Sequence, residues 1–193
     1  MPGGESAKLL FAAWKELPEF RLVSGLNVYF CDERCVEPEC DESNYKTLLS
    51  TLFDNNVPLG IIIHRIPGEY LDKEVASERY ADLLPFTIDI AVFGVGEDGH
   101  IASLFAESEI FNEPYKLVAP VLAVKPPFQR ITITKLVLDR VQQIFTLVYG
   151  SPKKNILLKV LCDRHNFKIY PARLLIQSIW LVDSHIIIPK IKG

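Results

Sequence analysis

The chain has 193 residues, of which 49% are hydrophobic, and its 21 basic and 24 acidic side chains give a net charge of −3. This length suits one domain with a sizeable core and is too short for two ordinary domains. The charges are scattered without the basic stripe that nucleic-acid binding requires, and no run of about 18 apolar residues or signal-peptide pattern occurs. We therefore expect a single soluble, cytoplasmic domain over residues 1–193 that binds neither nucleic acid nor membrane.

Apolar runs rich in Val, Ile and Phe alternate along the chain with helix-like stretches. This alternation is typical of a layered α/β fold with a mostly parallel, Rossmann-like sheet covered on both faces. The predicted strands are Leu26–Cys31, Leu59–His64, Ile88–Gly94, Leu117–Val121, Arg130–Thr134, Ile144–Tyr149 and Ser178–Val182. The predicted helices are Ala7–Leu17, Ser43–Phe53, Asp72–Leu84 and Pro152–Cys162.

Three of the four cysteines, Cys31, Cys35 and Cys40, fall within ten residues of one another. A zinc site normally needs a close pair plus a second pair or histidines at ligand spacing. Cys162 lies far from the other three, and no His-rich segment accompanies it. We therefore expect reduced, unpaired thiols and no bound metal.

The glycine-rich segment Gly94–His100 follows the most strand-like run of the sequence. It should lie beyond the carboxyl end of a strand, where open α/β sheets bind ligands. Its glycines allow a sharp turn, and Asp98 can orient the imidazole of His100 as a proton acceptor. The alternative is a solvated turn with an incidental histidine. The spacing is that of neither a dinucleotide fingerprint nor a P-loop, and Ser103 lacks the glycines of a nucleophile elbow, so hydrolysis would need activated water.

Several basic residues are candidates for binding an anion. Arg34 follows two acidic residues after a predicted strand, and its guanidinium can bind a phosphate or carboxylate; the alternative is a surface ion pair with those neighbours. Lys153 lies near the predicted start of a helix, where anions bind readily, although many such lysines are merely solvated. Arg130 and Arg173 lie beside prolines and are weaker candidates, for which a structural role is the alternative.

Six segments resemble, in order along the chain, the motifs of the 6-phosphogluconolactonase family of the glucosamine/galactosamine-6-phosphate isomerase superfamily. They are Asp32–Val36, Ser43–Tyr45, Gly94–Phe105, Lys125–Thr134, Gly150–Lys154 and Trp180–Asp183. The related glucosamine-6-phosphate deaminases share the Asp-Gly-His core but usually continue it with Ile-Ala-Phe-Asn-Glu-Pro. They also have tyrosine where this chain has Arg34. The chain therefore resembles the lactonase branch.

This resemblance implies hydrolysis of 6-phosphoglucono-1,5-lactone to 6-phosphogluconate in the oxidative pentose phosphate pathway, without a metal or organic cofactor. It implies that His100 is the general base that activates water and that Asp98 orients it. Arg34 would meet either the substrate phosphate or the oxyanion formed on the carbonyl. The implied residues that bind substrate or phosphate are Gly3, Gly4, Ser6, Arg34, Gly96, Arg130 and Lys153.

The beginning of the chain departs from the family pattern. Family members usually have a strand leading into Ser-Gly-Gly-Ser-Thr-Pro, a phosphate loop at a helix N-terminus. Here the corresponding residues are Pro2–Ala7, in which Glu5 would repel a phosphate if it faced the pocket. The resemblance thus implies that the usual N-terminal strand and helix are missing. It also leaves open a phosphosugar-binding relative without turnover and, as a further alternative, a deaminase that would release ammonia from glucosamine 6-phosphate.

Overall fold

The computed structural model describes residues 1–162 and 166–186. The helices are α1 (Gly4–Glu16), α2 (Asn44–Leu52), α3 (Lys73–Leu83), α4 (Lys135–Leu138) and α5 (Lys154–Cys162). The strands are β1 (Leu26–Tyr29), β2 (Asp32–Arg34), β3 (Ile61–His64), β4 (Ile88–Gly94), β5 (Val118–Leu122), β6 (Gln129–Ile133), β7 (Val141–Val148) and β8 (Ile179–Val182). Short 3₁₀ helices occupy Pro18–Leu22, Glu109–Asn112, Ser151–Lys153 and Pro171–Leu175. Helices and strands are mixed along the chain, so the predicted α/β fold is confirmed.

Two of the sheets are parallel. Strands β1 and β3 pair with Leu26 opposite Ile61, and strands β4, β7 and β8 form a second sheet in that order. Parallel strands end at the same edge of their sheet, and Gly94 at the end of β4 lies opposite Leu147 of β7. The loop after β4 and the loop after β7 are therefore neighbours, as the position of a ligand crevice requires.

A third sheet is antiparallel, with strand order β2, β6, β5. In the sequence, Asp32–Arg34 stands beyond the end of the predicted strand Leu26–Cys31, but the segment forms a strand of its own, β2. Arg34 lies opposite Arg130 of β6, and Asp32 lies opposite Thr132. A strand of three charged residues has no apolar alternation by which it could be recognised, so its pairing with β6 determines its conformation.

Side-chain caps fix the starts of two predicted helices. Ser43 Oγ accepts a hydrogen bond from the Lys46 backbone nitrogen at the start of α2. The Asp72 carboxylate accepts hydrogen bonds from the backbone nitrogens of Glu74 and Val75 at the start of α3. Each of these side chains accepts a hydrogen bond from a backbone N–H of the first turn. Because such capping residues can be recognised in the sequence, both helix starts are predicted correctly.

Residues before α1 pack along the end of β1. The Cys31 backbone nitrogen donates to the Met1 carbonyl oxygen at 2.9 Å, and the Met1 nitrogen donates to the Tyr29 carbonyl oxygen. In the described part of the chain, no strand precedes α1, which begins before the predicted start at Ala7. Within residues 1–162 and 166–186, no helix has the length and apolar character needed to cross a membrane.

Candidate active site

A cavity of about 850 Å³ lies at the carboxyl ends of β4 and β7. Its wall is built from the start of α1, from the facing strands β2 and β6, and from the loops that follow β4 and β7. With the exception of Arg173, all candidate site residues line this cavity: Gly3, Gly4, Ser6, Arg34, Gly96, Asp98, His100, Arg130 and Lys153. The fold thus brings together segments from distant parts of the chain.

Asp98 and His100 form a pair on the loop after β4. Asp98 Oδ1 lies 2.5 Å from His100 Nδ1 and 3.2 Å from the His100 backbone nitrogen. Partial burial opposes ionisation of Asp98, but its hydrogen bond with His100 and the charge of His100 outweigh burial and lower the pKa of Asp98 to about 2. A carboxylate at this position favours the tautomer with the proton on Nδ1, in which Nε2 is the acceptor nitrogen.

Gly96 makes room for this pair. A Cβ atom at Gly96 would lie 2.2 Å from His100 Nδ1 and 2.7 Å from Asp98 Oδ1, too close for any side chain. The Gly96 backbone nitrogen donates to the His100 carbonyl oxygen at 2.8 Å and closes the loop. The absence of a side chain at Gly96 therefore allows the carboxylate and imidazole to meet.

The guanidinium of Arg34 is only partly used in hydrogen bonds to the described residues. Its Nη1 donates to the Glu42 carbonyl oxygen, while its Nε is buried without a partner among the described residues. Its acidic neighbours have other partners: Asp32 accepts a hydrogen bond from Ser103 Oγ at 2.6 Å, and Glu33 accepts three from backbone nitrogens. In the two described ranges, Arg34 forms no ion pair with these neighbours, so its charge is available to an anion.

Glu33 joins β2 to the start of α2. Its carboxylate accepts hydrogen bonds from the backbone nitrogens of Asn44 at 2.7 Å and Tyr45 at 2.8 Å, and from Ser43 Oγ at 3.1 Å. Burial raises the pKa of Glu33, and these hydrogen bonds oppose the rise. Asp32 is held similarly, because Asn44 Nδ2 donates to its backbone and side-chain oxygens. The Ser-Asn-Tyr motif thus fixes the strand that carries Arg34.

Arg130 lies beside Arg34 on the neighbouring strand. Its side chain is largely buried, its Nε donates to the Pro127 carbonyl oxygen at 3.2 Å, and its guanidinium lies 5.7 Å from the centre of the Phe105 ring. Burial lowers the pKa of Arg130, and the charge of Arg34 lowers it further. The His100 ring is also 5.0 Å from Phe105. The two guanidiniums therefore lie on the side of the cavity that carries His100.

Lys153 ends the 3₁₀ helix in the loop after β7. Its Nζ donates to the Val95 carbonyl oxygen at 2.6 Å, on the loop that carries the Asp98–His100 pair. Burial lowers the pKa of Lys153, while the charges of Glu97 and Asp98 oppose this change. Arg173, the weaker candidate, donates to the Val160 carbonyl oxygen and does not line the cavity.

The start of α1 supplies backbone donors to the cavity. Gly4 has a φ of 78°, and a Cβ atom at Gly3 would lie 2.1 Å from Asn44 Oδ1, so this turn requires both glycines. The first backbone N–H groups of a helix have no partner within it and attract anions. Glu5 bonds to Lys8 Nζ at 2.9 Å and its side chain is 83% exposed. Glu5 nevertheless lines the cavity, where its exposure and its ion pair with Lys8 weaken the repulsion of a phosphate that the sequence predicts.

The family described as glucosamine-6-phosphate isomerases/6-phosphogluconolactonase matches residues 1–181. The chain belongs to this family. The 6-phosphogluconolactonase of Bos taurus is 37% identical over 175 residues, which cover 80% of this chain and 64% of the bovine protein. The 6-phosphogluconolactonase 4 of Saccharomyces cerevisiae is 35% identical over 155 residues, which cover 72% of this chain and 60% of the yeast protein.

The fold also matches a solved structure of the family. The crystal structure of 6-phosphogluconolactonase from Thermotoga maritima superposes with a TM-score of 0.76 and 26% sequence identity, covering 94% of this chain and 82% of that one. The predicted family and its mixed α/β fold are therefore confirmed. The chain spans less than two thirds of the length of the bovine and yeast relatives.

Proposed function

We propose that the chain hydrolyses 6-phosphoglucono-1,5-lactone to 6-phosphogluconate in the oxidative pentose phosphate pathway. The supporting observation is the Asp98–His100 pair, which shares one cavity with four basic side chains and a helix N-terminus. Relatives that carry the name 6-phosphogluconolactonase are 35% and 37% identical, which favours the same substrate here. With this function we propose a cytoplasmic location and a small phosphosugar lactone as the partner.

His100 would activate the attacking water. Its Nε2 accepts a proton as the water oxygen bonds to the lactone carbonyl carbon, and Asp98 stabilises the imidazolium through Nδ1. The bond between the carbonyl carbon and the ring oxygen then breaks, and the proton on Nε2 passes to that oxygen. The products are a carboxylic acid, which ionises, and a hydroxyl group. His100 Nε2 would thus act first as the base and then as the acid.

Arg34 and Arg130 would stabilise the oxyanion. They lie opposite each other in the β2–β6 ladder, and Arg130 and His100 both pack near Phe105. A carbonyl oxygen gains negative charge as water attacks, and fixed positive charge beside it lowers the barrier. The guanidinium of Arg34 also has an Nε donor that no described residue uses.

Lys153 and the start of α1 would hold the phosphate. Lys153 Nζ bonds to Val95, and a Cβ atom at the adjacent Gly94 would lie 3.7 Å from Ser6 Cβ, so the two elements meet at this loop. The backbone of Gly3 and Gly4 and the Ser6 side chain supply donors beside the ammonium charge. In this arrangement, different residues bind the phosphate and the oxyanion.

Two substrates distinguish this function from its alternatives. Purified protein is mixed with freshly prepared 6-phosphoglucono-1,5-lactone, and formation of 6-phosphogluconate is followed above the spontaneous rate. We expect acceleration with the lactone and no ammonia release from glucosamine 6-phosphate. Folded protein that binds 6-phosphogluconate without accelerating hydrolysis would be a binding relative, and ammonia release would identify a deaminase.

A further inference from the structure

Asp183 lies at the end of β8, in the Trp180–Asp183 motif, and does not line the cavity. Its backbone nitrogen donates to the Val148 carbonyl oxygen at 2.9 Å, and its side chain is only 9% exposed. Its two carboxylate oxygens have different partners. Oδ2 accepts a hydrogen bond from the Gly150 backbone nitrogen at 3.1 Å, whereas Oδ1 lies 2.9 Å from the backbone nitrogen and 2.8 Å from Nδ1 of His185.

Gly150 is the residue at which the chain turns from β7 toward Lys153. Its φ of 91° lies in the region that favours glycine, and its carbonyl oxygen accepts the Lys153 backbone N–H at 3.0 Å. The hydrogen bond from the Gly150 nitrogen to Asp183 therefore fixes the first residue of this turn. The last residue of the turn is Lys153, whose Nζ donates a hydrogen bond to the Val95 carbonyl oxygen. A continuous series of hydrogen bonds connects β8 to the loop that carries His100.

We infer that Asp183 is a positioning residue that holds Lys153 in the cavity through Gly150. This inference rests on the proposed function only for its effect on the phosphosugar, since the placement of Lys153 is a property of the protein itself. The Asp183 carboxylate is the acceptor of the Gly150 backbone N–H, and small displacements of a binding group strongly weaken its effect.

The first test measures the position of Lys153 without any substrate. Reductive methylation followed by site-resolved mass spectrometry reports the accessibility of each amine, and the exposed Lys154 serves as an internal control. We expect Asp183→Ala to raise the labelling rate of Lys153 several-fold and to leave Lys154 unchanged. Asp183→Asn keeps an oxygen that can accept from Gly150 and should restore slow labelling. Unchanged Lys153 labelling in folded Asp183→Ala would overturn the inference.

The second test is a double-mutant cycle with Lys153→Met, read as the dissociation constant of 6-phosphogluconate by calorimetry. We expect Asp183→Ala to weaken binding roughly tenfold to a hundredfold when Lys153 is present. The same change should weaken binding less than about threefold when Lys153 is already absent, because the two residues act as one unit. His185→Ala keeps the Gly150 contact and is the matched control, with near-normal affinity. Equal losses in both backgrounds would mean that Asp183 acts independently of Lys153.

The two tests separate the inference from the proposed function. If wild-type protein neither binds 6-phosphogluconate nor hydrolyses the lactone, while Asp183→Ala still releases Lys153, the function is contradicted and the positioning role stands. If the lactone is hydrolysed but Lys153 labelling and the cycle show no coupling, the positioning role is contradicted and the function stands. Where Asp183→Ala does not fold, Asp183→Ser provides the same comparisons with a shorter acceptor that does not reach Gly150.

Discussion

The chemistry of the cavity depends on how closely Asp98, His100 and Gly96 approach one another. The missing side chain at Gly96 permits a contact of 2.5 Å between the carboxylate and Nδ1 of the imidazole. The sequence indicates the pair, because an acid and a histidine follow a strand in a glycine-rich turn. It does not indicate the reason for Gly96, since steric need appears only when the loop is closed in three dimensions.

Asp98 makes the stability of the protein depend on pH. Its folded-state pKa of about 2 lies below the usual 3.8, so the ionised carboxylate stabilises the fold at pH values above 3.8. This contribution is lost as the pH falls from 3.8 to about 2. We expect urea unfolding to show wild type more stable than Asp98→Asn at pH 6, with the difference shrinking as pH falls from about 4 toward about 2. A difference that stays constant over this range would exclude the linkage.

At the scale of elements, strand β2 shows where sequence patterns stop being informative. The helix starts at Ser43 and Asp72 are predictable because each cap acts within a few residues. Strand β2 consists of Asp32, Glu33 and Arg34, and only its partners β6 and α2 explain why two carboxylates are buried there. Long-range pairing is invisible to a local pattern, although the same residues are the ones that the family resemblance singles out.

Glu33 is expected to be a stability determinant. Glu33→Ala removes the acceptor of backbone N–H groups at Arg34, Asn44 and Tyr45 and leaves buried donors unsatisfied. We expect the free energy of unfolding to fall by about 3 kcal/mol, measured by urea denaturation. Glu33→Gln retains one acceptor oxygen and should lose less. The exposed Glu5→Ala is the control with little effect, and an equally small loss for Glu33→Ala would contradict this role.

At the scale of the whole molecule, the parallel pairing of β4 with β7 is what assembles the site. The alternation of apolar runs and helices predicts parallel strands but not which strands are neighbours. The meeting of the two loops that carry His100 and Lys153 therefore follows from the observed pairing. The antiparallel sheet that places Arg34 beside Arg130 is not predictable in the same way. The chain carries a net charge of −3, and its cavity is lined by both basic and acidic side chains. An anionic substrate is therefore met by individually placed cations and not by an overall positive charge. The basic residues of the lining are Arg34, Lys125, Arg130 and Lys153, and the acidic ones are Glu5, Asp32, Glu97 and Asp98.

The general-base role of His100 is tested most directly by comparing lactone turnover in wild type, His100→Ala and His185→Ala. His185 is a matched control, because it also bonds to an aspartate two residues earlier but lies outside the cavity. We expect His100→Ala to lower kcat about 10²–10⁴-fold while 6-phosphogluconate affinity changes little, and His185→Ala to keep near-normal turnover. Unchanged turnover in His100→Ala, or a loss of product binding as large as the loss of turnover, would contradict the general-base role of His100.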